Sequence, residues 1–112
     1  MTIQTRLRVA DLAAVPMPAG RLSKLAFDTG DVELRLYKPA GVDNQVPHDR
    51  DELYFVVHGT GMFLRERERT AFTPGDVLFA AAGEEHRFVE FSSDLTVWVL
   101  FYGPRREQRS HA

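Results

Sequence analysis

From Leu22 onward, apolar and polar residues alternate in segments of roughly five to eight residues, punctuated by Gly, Pro, Asn or Asp. Side chains on a strand point alternately to opposite faces, so this rhythm builds a continuous apolar face only when the segment is extended. In Val32-Glu33-Leu34-Arg35-Leu36-Tyr37, the residues Val32, Leu34 and Leu36 share one face, and Glu33, Arg35 and Tyr37 the other. Asp28-Thr29-Gly30-Asp31 supplies the turn before it. Leu53 to His58 is β-branched and aromatic, and Gly59-Thr60-Gly61 turns it into Met62-Phe63-Leu64. The charged stretch Arg65 to Arg69 caps the next hairpin, and Val77 to Ala80, Arg87 to Phe91 and Leu95 to Tyr102 follow as strands. No internal repeat breaks the series, so the expected fold class is all-β, one antiparallel sandwich or barrel.

A chain of 112 residues, 44% of them hydrophobic and 27% charged, fits one compact domain with a core of its own. Its expected organisation is an N-terminal segment over 1–20, a barrel over 21–104 and a mobile polar tail over 105–112. In the N-terminal segment Ile3 to Val9 fits a strand and Asp11 to Val15 one helical turn; strand and turn at a subunit interface is the expectation. Leu95 to Tyr102 is apolar on both faces. Either Trp98, Leu100 and Tyr102 or Val97, Val99 and Phe101 line the interior, and the other set is left for a second copy in a homodimer.

A net charge of -2 gives no concentrated basic face for nucleic acid. Arg65, Arg67 and Arg69 do cluster, but Glu66 and Glu68 between them cancel most of the local charge. There is no cysteine, which makes a reducing cytoplasm the simplest compartment and restricts any metal to nitrogen and oxygen ligands. No apolar run approaches the roughly 18 to 20 residues of a membrane-spanning helix.

Those ligands are on offer in two places. His48 and Glu52 stand four residues apart just before the Leu53 to His58 strand, and His86 follows the turn Ala82-Gly83. Two imidazoles and one carboxylate converging on a point form a three-ligand set that leaves coordination positions open. A strand puts residues i and i+4 on one side, so His48 and Glu52 converge if Asp49-Arg50-Asp51 stays extended or makes a compensating bend. Pro47 disfavours the helical alternative. By alternation Tyr54 and Val56 share the side of Glu52, and Phe88 and Glu90 that of His86. Tyr54 and Glu90 are therefore candidate catalytic proton carriers, as is His58, and Gln45 or His58 would be a fourth ligand. The plainer account makes His48 a solvated loop residue, Glu52 a soluble strand end and His86 a turn histidine.

Taken together these segments resemble the two signatures of the cupin superfamily, G-x5-H-x-H-x3-4-E-x6-G and G-x5-P-x-G-x2-H-x3-N. His48, Glu52 and Gly59 match the latter half of the first, and Gly75, Gly83 and His86 match the second. Fifteen residues separate Gly59 from Gly75, as suits small single-domain bacterial cupins. Four positions depart: Val46 stands where the first histidine belongs, Gly41 is one residue too close, Ala81 replaces a proline and Glu90 an asparagine. The resemblance implies a jelly-roll β-barrel holding one divalent transition metal (Fe, Mn, Ni or Zn) on His48, Glu52 and His86. It also implies a small-molecule substrate or ligand, turned over by dioxygenase, isomerase or lyase chemistry or merely bound.

Overall fold

The computed structural model describes residues 3–19, 22–43 and 45–105. The expectation of a mobile tail falls almost wholly outside that set, as does His111. One short helix, α1 (Val9–Ala13), precedes eight strands: β1 (Ser23–Asp28), β2 (Val32–Tyr37), β3 (Asp51–His58), β4 (Gly61–Arg65), β5 (Glu68–Phe72), β6 (Val77–Ala80), β7 (His86–Val89) and β8 (Thr96–Tyr102). They form a five-stranded sheet in the order β1-β2-β8-β3-β6 and a three-stranded sheet in the order β5-β4-β7, paired antiparallel throughout. Among the described residues no helix is long and apolar enough to cross a membrane.

The core is aromatic. Phe88 on β7 sits 5.0 Å from Phe63 on β4, 5.2 Å from Tyr54 on β3 and 5.5 Å from Phe72 on β5, centroid to centroid. Such pairs contribute about 0.5–1.5 kcal/mol each beyond the area they bury. Tyr54 belongs to one sheet and Phe63, Phe72 and Phe88 to the other, so this cluster joins the layers. Val97 and Val99 join the same core and Phe101 packs against it, which settles which side of β8 faces inward.

In the N-terminal segment the expected helical turn forms as α1, two residues earlier than Asp11 to Val15, whereas no strand forms over the described residues before it. Lys24, opposite Leu36 in the β1–β2 register, donates from Nζ to the Ala13 carbonyl at 3.0 Å. That tie holds the end of α1 beside the outer face of the sheet, where Leu36 is buried outside the main core. Alternation in β2 left open which face is inside, and the structure decides it. Tyr37 is in the core, and Glu33 and Arg35 on the same side line a cavity, so the polar face of β2 looks into the barrel.

Gly59, which ends the first motif, has φ +98°, and a Cβ there would lie 2.6 Å from the Leu95 Cα. The strand therefore ends against the neighbouring backbone at a place only glycine fits.

Candidate metal centre

Glu52 is the second residue of β3, flanked by β6 and β8, and points inward with Tyr54 and Val56 as alternation requires. His86 opens β7 in the opposite sheet. His48 comes from the loop before β3, whose bend at Asp49 and Arg50 brings its Nε2 to 3.8 Å from Glu52 Oε1. One ligand atom from each of His48, Glu52 and His86 lies within 4.8 Å of the others. Backbone bonds explain why two motifs remote in sequence meet. The Gly83 N–H donates to the His48 carbonyl at 2.8 Å, and the Ala82 N–H to Asp51 Oδ1 at 2.9 Å. Gly83 does this at φ +81°, a left-handed conformation that glycine adopts freely.

His86 Nδ1 lies 2.9 Å from the Glu84 carbonyl, which can only accept, so Nδ1 carries the proton and Nε2 of the neutral ring is bare. That Nε2 lies 2.8 Å from Glu52 Oε2. The pair lacks the angular geometry of a hydrogen bond, and both atoms are buried without any other hydrogen-bond partner. Burial weakens the hold of His86 on a proton, but the adjacent Glu52 carboxylate and the Glu84 carbonyl outweigh it, and the pKa rises above 6.5. The side chains of His86 and Glu52 are 0% and 1% exposed, whereas that of His48 is 35% exposed, so the site opens on the His48 side.

The Tyr54 hydroxyl stands 3.0 Å from Glu52 Oε1 and 3.0 Å from Gln45 Oε1, with one proton for two acceptors. Burial above all, and then the Glu52 charge, push its pKa well above 10, so it remains a neutral phenol. Gln45 is engaged at both ends, since its Nε2 donates to Asp43 Oδ2 at 2.8 Å. Asp43, which the sequence reading did not single out, is buried and also accepts from the Tyr37 hydroxyl, the Gln45 N–H and the Phe88 N–H. The Phe88 bond spans 45 positions, so no local pattern announces it.

Glu90 is not brought to this group. At φ +50° it breaks the alternation of β7 and turns outward, 68% exposed, to pair with Arg69 Nη2 at 2.7 Å. His58 is an exposed strand end outside the three-residue group. Val46, at the place of the missing histidine, is 67% exposed.

Around the open side an apolar hollow of about 130 Å³ lies between Tyr37, Gln45, His48, Val99 and Phe101. A wider cavity of about 620 Å³ shares His48 and Phe101 with it and extends to Glu33, Arg35 and Arg50. The Phe101 and His48 rings meet edge to face, 5.2 Å between centroids.

The chain matches the model of the Cupin domain over residues 33–102. An uncharacterised protein of Streptomyces coelicolor is 42% identical over 62 residues, a stretch covering 55% of this chain and 59% of that protein, so the likeness spans little more than half of the relative. Among solved structures, TT1209 from Thermus thermophilus superposes with a TM-score of 0.70 at 20% identity, covering 93% of this chain and all of that one. KdgF from Halomonas sp. superposes with a TM-score of 0.64 at 27% identity, covering 74% of this chain and 78% of that one. Two motif halves, their meeting at one buried point, and a family match across both sheets make this chain a member of the cupin family.

Proposed function

We propose that this cupin binds one divalent transition metal through His48, Glu52 and His86 and acts enzymatically on a small organic molecule. The observation that carries the reading is the pair His86 Nε2 and Glu52 Oε2, buried side by side at 2.8 Å and not hydrogen-bonded. Orphaned buried polar atoms are costly, and two lone-pair atoms adjacent but not hydrogen-bonded to each other are disposed as ligands of one ion. The nitrogen and oxygen set suits Fe, Mn, Ni or Zn. Such an ion supplies Lewis acidity toward a substrate oxygen, and iron adds redox chemistry.

The chain's own residues do the rest. Glu84 fixes the His86 tautomer, and Tyr54 orients Glu52 by donating a proton it does not give up. Tyr54 is thus a positioning residue in this reading, not a base. Gln45 anchors Tyr54 to Asp43 and is not free to be a fourth ligand without leaving that chain. Dioxygenase, isomerase and lyase chemistry all fit a site of this kind. A non-catalytic ligand-binding module is the second reading, favoured by the removal of Glu90 to the surface and the locking of Tyr54, which leave the site short of proton carriers.

Protein purified without an affinity tag is expected to hold about one metal per chain, and His86→Ala to hold none. No uptake after Fe(II), Mn(II), Ni(II) and Zn(II) are offered at neutral pH would sink the reading. Metal-dependent oxygen consumption or substrate turnover separates enzyme from binding module. A homodimer belongs to the same proposal: Phe55, Val77 and Phe79 are exposed on the outer side of β3 and β6, and light scattering should give twice the chain mass. The absence of cysteine fits a cytoplasmic setting.

A further inference from the structure

We propose that the wide cavity beside the metal centre is a carboxylate subsite, in which Arg35 and Arg50 hold the anionic group of a small organic acid. Only the placement of the acid's other end, toward His48, rests on the function proposed above.

Arg50 is 2% exposed. Its Nε donates to the Gly103 carbonyl at 3.3 Å, and its Nη2 to the carbonyls of Gly30 at 3.2 Å and Asp31 at 2.6 Å. Carbonyl groups fix the guanidinium in place but do not neutralise it. Its Nη1 has no hydrogen-bond partner among the described residues. The nearest carboxylate oxygen to it is Glu33 Oε1, at 3.9 Å, beyond hydrogen-bond reach. The other oxygen of Glu33 belongs to Arg35 Nε. One carboxylate therefore serves two guanidinium groups.

The two other acids on that wall are engaged elsewhere. Asp28 accepts the Gly30 N–H within its own turn at 2.8 Å, and Asp49 pairs with Arg105 at 3.1 Å on the exposed rim. Arg35 Nη1 has only 3.4 Å contacts, to the Ser23 carbonyl and hydroxyl. A buried cation short of a counter-ion is unfavourable, and a guanidinium fork is matched to a carboxylate in shape and charge. The inward turn of the polar face of β2 has the same sense: Glu33 and Arg35 occupy interior positions that an unused barrel mouth would fill with apolar side chains. His48 and Phe101 line the same cavity, so an acid seated on the arginines lies alongside the open edge of the metal centre with an apolar wall beside it.

The test uses the full chain, once stripped with a chelator and once loaded with Zn(II), with metal content measured on every sample. Benzoate and pyruvate are titrated by calorimetry against benzamide and pyruvamide. The acids are expected to bind at least about tenfold more tightly than the amides. Because Arg50 also ties three backbone carbonyls, the variants are placed at its neighbours. Arg35→Met should weaken the acids about tenfold with metal content unchanged, and Glu33→Gln, which removes the competing carboxylate, should tighten them several-fold. Equal binding of acids and amides, unchanged affinity in Arg35→Met, or weaker binding in Glu33→Gln would each overturn the subsite. If the chain takes up no metal and the acids still follow this pattern, the subsite stands and the metal proposal falls.

Discussion

His86 Nε2 and Glu52 Oε2 lie 2.8 Å apart at the junction of the two sheets, and their closeness would make a proton and the proposed metal rivals for one place. The His86 pKa is raised above 6.5, with the cost of burial outweighed by the Glu52 carboxylate and the Glu84 carbonyl. In the stripped protein the folded state therefore holds the proton more tightly than the unfolded one. That stabilisation is complete below about pH 6.5 and is lost as pH rises through the folded-state value. Thermal melts of chelated protein should show Tm falling over the interval above about pH 6.5. Metal affinity should run the other way, weakening as the pH is lowered. A chelated protein whose Tm rises over that interval, with His86→Gln behaving identically, would contradict this.

Tyr54→Phe removes one hydroxyl from a fully buried ring and leaves Glu52 Oε1 without its donor. The stoichiometry of metal uptake should persist, with affinity reduced about 10-fold to 100-fold and stability by about 1–2 kcal/mol. Competition with a chromogenic chelator reads the first and urea unfolding the second.

Asp43 gathers four donors in a buried position, among them the Tyr37 hydroxyl and the Phe88 N–H. Asp43→Ala strands several of them, and a loss of at least about 3 kcal/mol in denaturant unfolding is expected. Asp43→Asn should lose less, because an amide oxygen still accepts.

Two motif glycines separate space from backbone strain. Gly59→Ala meets both a φ of +98° and a 2.6 Å approach to the Leu95 Cα, for about 2–4 kcal/mol of destabilisation. Gly75 has φ +95° with open space around it, so Gly75→Ala should lose only about 1–2 kcal/mol. Equal losses would show that contact with Leu95 is relieved by a shift of the loop.

Glu90→Gln breaks an exposed ion pair with Arg69, and both stability, within about 0.5 kcal/mol, and metal content should be unaffected. A lost metal would place Glu90 back at the centre.

Much of this was legible in the sequence, and what was not has a physical reason. Val32 to Tyr37 is β2 end to end, and the Leu95 to Tyr102 segment is β8 with one residue more, because period two and turn chemistry are local signals. The three ligand candidates were readable through the resemblance to the two cupin signatures, since spacing by itself offered only that His48 and Glu52 share one side of an extended segment. The direction in which β2 faces was not, since alternation fixes which residues share a side but not which side is inside. Glu90 failed for a reason visible in the motif itself: asparagine, the residue at that place in the pattern, tolerates the left-handed backbone that Glu90 adopts at φ +50°. Asp43 and Arg50 gave no signal, because their bonds run to Phe88, Gly30 and Gly103, far away along the chain.

Glu52 and His86 sit on opposite layers of the barrel, and an ion gripped by both is a rivet through the sandwich. It can be seized fully only after the layers have closed, so it should leave the rate of assembly almost untouched and slow their parting. In such a molecule a chelator acts less as an inhibitor than as a solvent for the seam, and the aromatic floor of Tyr54, Phe63 and Phe88 is the first thing water would reach.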